Sequence, residues 1–342
     1  MHLHLRSICT TVVSLAFGSA SAGAQTEATP PIVAPGTLVD VGGWRLHLHC
    51  TGESRAGPTV ILEAGMGDFS VEWSLVQPGI AQFARVCSYD RAGDGWSELG
   101  PHPRTMKQIV YELHELLTRA GERAPFILVG HSYGAWLVRA YQSTFPAEVA
   151  GLLLVESGGS DPWRMMPDGR LARSSELVTN RPVPPVKTAG PLRISDIPPA
   201  ALRQMTAGLG AASASANEPP RDKLPAGAQR MRTWALGQVG HVAAAVNPFE
   251  LDELAALRAA QIKSEQPLGD LPLVVITRGA LDAEGPNARS MEEDHRRDQA
   301  LLAKMSRKAR HVTAAGSRHH VQLDEPDVVI REVQLLLADL RR

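Results

Sequence analysis

Short apolar runs rich in β-branched residues recur along the chain, bounded by Gly, Pro, Asp and Asn. They predict strands over residues 37–41, 44–49, 59–63, 85–89, 126–129, 151–155, 273–277 and 311–314. Elsewhere apolar positions return every three or four residues, which predicts helices over 105–120, 135–145, 291–306 and 326–340. The last is the plainest case. Val329, Ile330, Val333, Leu336, Leu337 and Leu340 form one stripe, and Asp324, Glu325 and Asp327 supply an acidic start. That stripe reads as core packing. Alternating strands and helices predict a mostly parallel sheet with helices on both faces. Gly42-Gly43 separates the first two runs and predicts a hairpin turn between antiparallel strands.

The alternation stops once. From Ser157 to Gly269 no strand stands out; the stretch is rich in Pro and Ala, with a low-complexity patch at 207–220. Helices are expected at about 227–246 and 248–264. So long an insertion between two strands predicts a helical cap over the site. The expected organisation is a signal segment (1–24), a flexible lead-in (25–36), an α/β core (37–157 and 269–342) and a cap (158–268).

Composition adds limits. A chain of 342 residues with 44% hydrophobic content suits one large α/β domain or two small ones. Lys and Arg total 35 against 36 Asp and Glu, and no basic run stands out, which argues against a nucleic-acid partner. The N-terminus carries His4 and Arg6, an apolar stretch over 8–18, and Ala22-Gly23-Ala24, which fits a cleavage site with Gln25 as the first mature residue. The apolar stretch is too short to span a bilayer. The expectation is an exported protein, periplasmic or secreted, without stable membrane insertion. No Cys lies at the cleavage site, so a lipoprotein is not indicated. Loss of Cys9 with the signal leaves Cys50 and Cys87. An oxidising compartment favours a disulfide between them; two buried thiols are the alternative.

Chemistry concentrates at Gly130-His131-Ser132-Tyr133-Gly134, between the strand at 126–129 and a helix. In that context G-x-S-x-G is a nucleophile elbow: the strained turn presents the serine hydroxyl, and small residues two positions away on each side keep strand and helix from colliding. Serine needs a base, and the base needs a carboxylate. In the order Ser, acid, His, the candidates are Ser132, Asp282 in the loop after the strand at 273–277, and His319 in the loop after the strand at 311–314. Glu156 and Asp161, after the sixth strand, compete for the role of acid. Ala64-Gly65-Met66-Gly67-Asp68 follows the third strand and offers the Met66 amide as an oxyanion donor beside that of Tyr133.

These segments resemble the α/β-hydrolase superfamily of esterases, lipases and aminopeptidase-like enzymes. The resemblance rests on 63–67, 89–97, 130–134, 279–282 and 316–326, and runs from about residue 37 to the C-terminus with only the cap unmatched. It implies an eight-stranded sheet whose second strand is antiparallel and lies beside the fourth, which would bring Cys50 near Cys87. It also places the catalytic histidine just before an arbitrary residue and an aliphatic one, as in His319-His320-Val321, leaving His320 as a packing neighbour. The His-Gly pair common on the oxyanion loop is Ala64-Gly65 here, and the triple glycine of esterases for bulky tertiary alcohols is absent. A serine nucleophile disfavours the dehalogenases and epoxide hydrolases of the family, which use Asp.

Other residues read as structural. Asp90-Arg91 suits a turn with buried salt links. His47 and His49 alternate on one strand without a third metal ligand in view. Trp163, Met165 and Met166 open the cap and either line an acyl pocket or pack it. The expected function is hydrolysis of a small-molecule carboxylic ester by an acyl-enzyme route, with no cofactor and no metal. The alternatives are a proline-iminopeptidase-like amide hydrolase or an acyltransferase on the same triad, with Glu218 or Glu250 as candidates to hold a substrate amine, and a non-catalytic binding protein of this fold.

Overall fold

The computed structural model describes residues 32–341 except 54–56, 160, 167, 263 and 282–287. The expected signal segment, residues 25–31 of the lead-in, and Asp282 lie outside the described residues. Eight strands form one sheet: β1 (Thr37–Asp40), β2 (Arg45–Thr51), β3 (Thr59–Glu63), β4 (Val86–Tyr89), β5 (Phe126–His131), β6 (Val149–Val155), β9 (Leu273–Arg278) and β10 (Ala309–Ala314), in the order β1-β2-β4-β3-β5-β6-β9-β10. A separate antiparallel hairpin, β7 (Trp163–Met165) and β8 (Leu171–Arg173), opens the insertion. The helices are α1 (Gln77–Ala81), α2 (Met106–Arg119), α3 (Tyr133–Thr144), α4 (Pro199–Thr206), α5 (Leu209–Ala214), α6 (Ala226–Leu236), α7 (Val239–Ala244), α8 (Glu250–Ile262), α9 (Ala288–Ala303), α10 (Val321–Asp324) and α11 (Pro326–Asp339).

The period of two in a strand sorts the core into two layers. In β5, Phe126 and Leu128 join a layer with Val110, Leu113, Leu116 and Leu117 of α2 and Val138 and Tyr141 of α3. Ile127 and Val129 join the opposite layer with Ile80 of α1 and Val329, Val333 and Leu336 of α11. Burial on both faces is why β5 reads as a continuous apolar run. β1 and β2 pair antiparallel across Gly42 and Gly43, both at positive φ. β2 runs antiparallel to β4, and this register sets Cys50 opposite Cys87, where the two form a disulfide.

Successive strands step outward in opposite directions from β3. β4 lies on one side of it and β5 on the other, and the helices that follow β3 and β5 cover opposite faces. The loops leaving the carboxyl ends of β3 and β5 therefore diverge and open a crevice, the usual ligand site of such sheets.

The insertion between β6 and β9 carries five α-helices, α4 to α8, joined by irregular segments. Sequence periodicity missed the β7–β8 hairpin, whose strands have three residues each and are too short for an alternation to register. It also missed α4, and α5 within the low-complexity patch. Residues 34–342 form one unit. Leu254 of α8 packs with Tyr133, Trp136 and Leu137 of α3, joining insertion to core. No helix among the described residues is long and apolar enough to cross a membrane.

Candidate active site

Ser132 sits between β5 and α3 with φ 52° and ψ −115°, a left-handed conformation that costs a non-glycine residue on the order of 1–3 kcal/mol. The flanking glycines are required by contact. A Cβ on Gly130 would lie 2.5 Å from the Gly134 carbonyl oxygen, and one on Gly134 would lie 2.5 Å from the carbonyl oxygens of both Glu63 and Ala64. The turn sets the serine at the end of α3, whose first amides lack intrahelical acceptors and include that of Tyr133.

His319 lies between β10 and α10, with its side chain partly exposed. Its Nε2 is 2.9 Å from Ser132 Oγ. Its Nδ1 is 3.4 Å from Oε2 of Glu156. Glu156 follows β6 directly, is fully buried, and has φ 46°, a second left-handed residue at a strand end. Its four acceptor positions are occupied. Oε1 accepts from the Arg278 backbone N–H at 2.9 Å and faces His295 Nε2 at 2.9 Å; Oε2 accepts from Arg278 Nη1 at 2.6 Å and faces His319. Burial alone would raise this carboxyl's pKa. Hydrogen bonds from His295 and His319, with the Arg278 charge, outweigh it and hold the group well below the usual carboxylate range.

Of the described carboxylates weighed from sequence, Glu156 is the one at His319. Asp161 turns elsewhere, to the Ser175 hydroxyl at 2.7 Å and Arg258 at 3.0 Å. Asp282 lies outside the described residues.

The loop after β3 is held from behind. Arg91, fully buried, donates to Glu63 (2.7 Å) and to the carbonyls of Ala64 (2.8 Å), Gly65 (2.5 Å) and Asp68 (2.9 Å). One guanidinium thus fixes the curvature of the segment that carries the Met66 amide. Met66 itself is half exposed between Gly65 and Gly67, the latter at positive φ. Asp90 anchors the next turn, accepting from the Ser70 and Trp96 amides and lying 2.9 Å from His47. Both residues of Asp90-Arg91 are structural. His47 is buried against Asp90, and His49 is half-buried. Among the described residues one group of three potential metal ligands gathers, Cys50, Cys87 and Glu122, and its sulfurs are joined in the disulfide.

Several site residues escaped the sequence. His131 donates or accepts at two points: Nε2 lies 2.9 Å from the His319 carbonyl oxygen and Nδ1 3.3 Å from Gln322 Nε2. Burial, with His319 and His320 nearby, pushes its pKa down to about 3, so the neutral ring donates from Nε2 and ties the histidine loop to the elbow. Arg278 and His295 came without signal beyond a charge closing a buried strand. Asp68, in the loop after β3, is buried against two arginines of the insertion, Arg221 and Arg232, each at 3.0 Å. Burial would raise its pKa, but those two charges hold it low. Glu72, beside it, also meets Arg232 and is pushed up to about 8, by burial first and then by Asp68. His320 Nε2 is 2.9 Å from Arg221, so the cap is pinned to both loops of the site.

A cavity of about 30 Å³ touches Met66 and Tyr133. Arg91, Arg104, Asn247 and Glu250 line it, and Glu250 is paired with Arg164. The space holds one or two waters. Trp163 lies away from it, donating to Asp294 and stacked under Arg173. Met166 is half-buried and Glu218 exposed.

With this geometry in hand, comparison with known proteins is decisive for the family. The sequence model of the Alpha/beta hydrolase family matches residues 47–332. The chain belongs to that family. A relative described as an AB hydrolase superfamily protein, from Gibberella zeae, is 38% identical over 104 residues, 29% of this chain and 32% of its own. The chain spans 20%, 32% and 43% of the length of the first curated relatives it matches. Among solved structures, a thermophilic esterase from Thermogutta terrifontis superposes with a TM-score of 0.56 at 16% identity, covering 90% of this chain and 100% of its own. The enol-lactonase from Burkholderia xenovorans gives 0.58 at 18%, covering 88% and 100%. At such identities these likenesses show the fold.

Proposed function

We propose that this alpha/beta hydrolase cleaves a small carboxylic ester through Ser132, His319 and Glu156. The observation that carries the reading is the 2.9 Å approach of His319 Nε2 to Ser132 Oγ, with the other ring nitrogen turned to a buried carboxylate. In this reading His319 takes the hydroxyl proton as Oγ attacks the ester carbon. Glu156 steadies the imidazolium that forms. The Met66 and Tyr133 amides receive the oxyanion. His319 then protonates the departing alkoxide, and the acyl group stays on Ser132. Water, deprotonated by the same imidazole, releases the acid. Glu156 takes the role expected of Asp282, supported by its contact with His319 and its four-fold coordination.

An ester is favoured over a substrate with a free amine. Glu250, the cap carboxylate at the cavity, is already neutralised by Arg164, and Glu218 is exposed. Export is proposed as well, supported by the N-terminal apolar segment and the disulfide. The test is a series of p-nitrophenyl esters of rising acyl length beside aminoacyl anilides. Acetate and other short esters turn over fastest; a strong preference for anilides overturns the ester assignment. Ser132→Ala abolishes both turnover and labelling by a fluorophosphonate, and labelling that persists moves the nucleophile elsewhere.

A further inference from the structure

Glu156 serves two histidines, and only one of them faces the serine. His319 uses one carboxylate oxygen; His295, on α9, meets the other at 2.9 Å. The side chain of His295 is 15% exposed and lines a cavity of about 250 Å³ with Trp163, Arg173, Arg278, Met291 and Asp298. The buried acid is thus connected to solvent through an imidazole. We propose that His295 is a positioning residue of the triad, holding Glu156 toward His319 while neutral, and that its protonation opposes that of His319. The proposal rests on Glu156 being the triad acid.

The physical reason is competition for one negative charge. A neutral His295 donates from Nε2 to Oε1 and fixes the carboxylate's rotation. This leaves Oε2 for His319. A charged His295 draws on the same carboxylate that must stabilise the imidazolium of His319 in the transition state. Two imidazolium rings on one carboxylate repel one another. The groups facing His295 carry both signs of charge. Arg278 Nη1 lies 3.1 Å from Nε2. Glu156 and, one turn further along α9, Asp298 are the carboxylates that face it. Glu292, one turn back, is engaged by Arg278 and Arg296, and Asp294 by Arg173 and Arg297.

The experiment is the pH dependence of kcat and kcat/KM for p-nitrophenyl acetate, for the full chain and two variants. In the parent protein the acid limb of log kcat/KM steepens beyond a slope of one, recording two coupled protons. His295→Gln keeps a donor but cannot be charged, and its acid limb falls with a slope of one. His295→Ala loses the donor and lowers kcat by about tenfold with KM little changed, at the low end of what a hydrogen bond to a charged group is worth. His295→Gln restores most of that loss. An acid limb in His295→Gln that superimposes on the parent's, or an alanine variant with parental kcat, overturns the proposal. Glu156→Gln separates the two readings. If it is inactive while His295→Gln shows the parent's profile, His295 fails alone; if it is fully active, the triad assignment fails with it.

Discussion

Replacing Glu156 by Gln is the perturbation that tests most. The carboxylate accepts from four sides, so an amide must turn its NH2 toward one pair of donors, either the Arg278 backbone and His295 or Arg278 Nη1 and His319. With the NH2 on the His319 side, the ring loses the acceptor that fixes its tautomer. The same replacement in a chymotrypsin-type triad costs about 10⁴ in kcat. At 3.4 Å the contact here is longer, which places the expected loss at about 10³–10⁴. Removing one partner of a buried ion pair costs about 3–5 kcal/mol, and Arg278 keeps Glu292 at 2.8 Å, so stability falls by an amount near the lower end. The assay is kcat for p-nitrophenyl acetate at pH 8 beside the thermal midpoint, with Asp282→Asn measured in parallel. Asp282→Asn stays within about threefold of the parent, far from the loss of a triad member. The reasoning is refuted if Asp282→Asn loses the activity while Glu156→Gln keeps it.

Three further outcomes follow from the same contacts. Arg91→Met removes four hydrogen bonds from the segment 63–68, and lowers kcat by about 10²–10³ by loosening the oxyanion loop, with KM less affected; parental kcat would show that the loop holds itself. Cys50→Ser with Cys87→Ser opens a closure of 37 residues and costs about 3–4 kcal/mol in the chain-entropy model, read as a lower urea midpoint with a somewhat steeper slope, because the opened chain exposes more surface when unfolded. Glu156 has a folded pKa below its ordinary 4.5, so its stabilisation is complete above that value and is lost progressively as pH falls from there toward the folded pKa. The thermal midpoint of the parent therefore drops more steeply between about pH 5 and 3 than that of Glu156→Gln; parallel curves would place the acid sensitivity in other carboxylates.

The central strands were legible because they are buried on both faces and must be largely apolar, as in β5 and β9. The elbow was legible for a steric reason: only glycine fits at 130 and 134, where any Cβ meets backbone at 2.5 Å, and that requirement is written in the residues themselves. The same holds for His319, which has to lie in the loop between the last strand and the final helices to reach the sheet's carboxyl edge. The acid was not legible. Glu156, Asp161 and Asp282 all follow strands, and nothing in the sequence announces the backbone turn at φ 46° that sends Glu156 inward or the Arg278 that receives it 122 positions away. The roles of His131, His295 and the cap arginines were likewise invisible. A hydrogen bond is a matter of ångströms between groups distant in sequence, whereas periodicity records only which side of an element faces away from water. Burial pattern is local and repeats along the chain; the meeting of polar side chains is decided by how the elements pack.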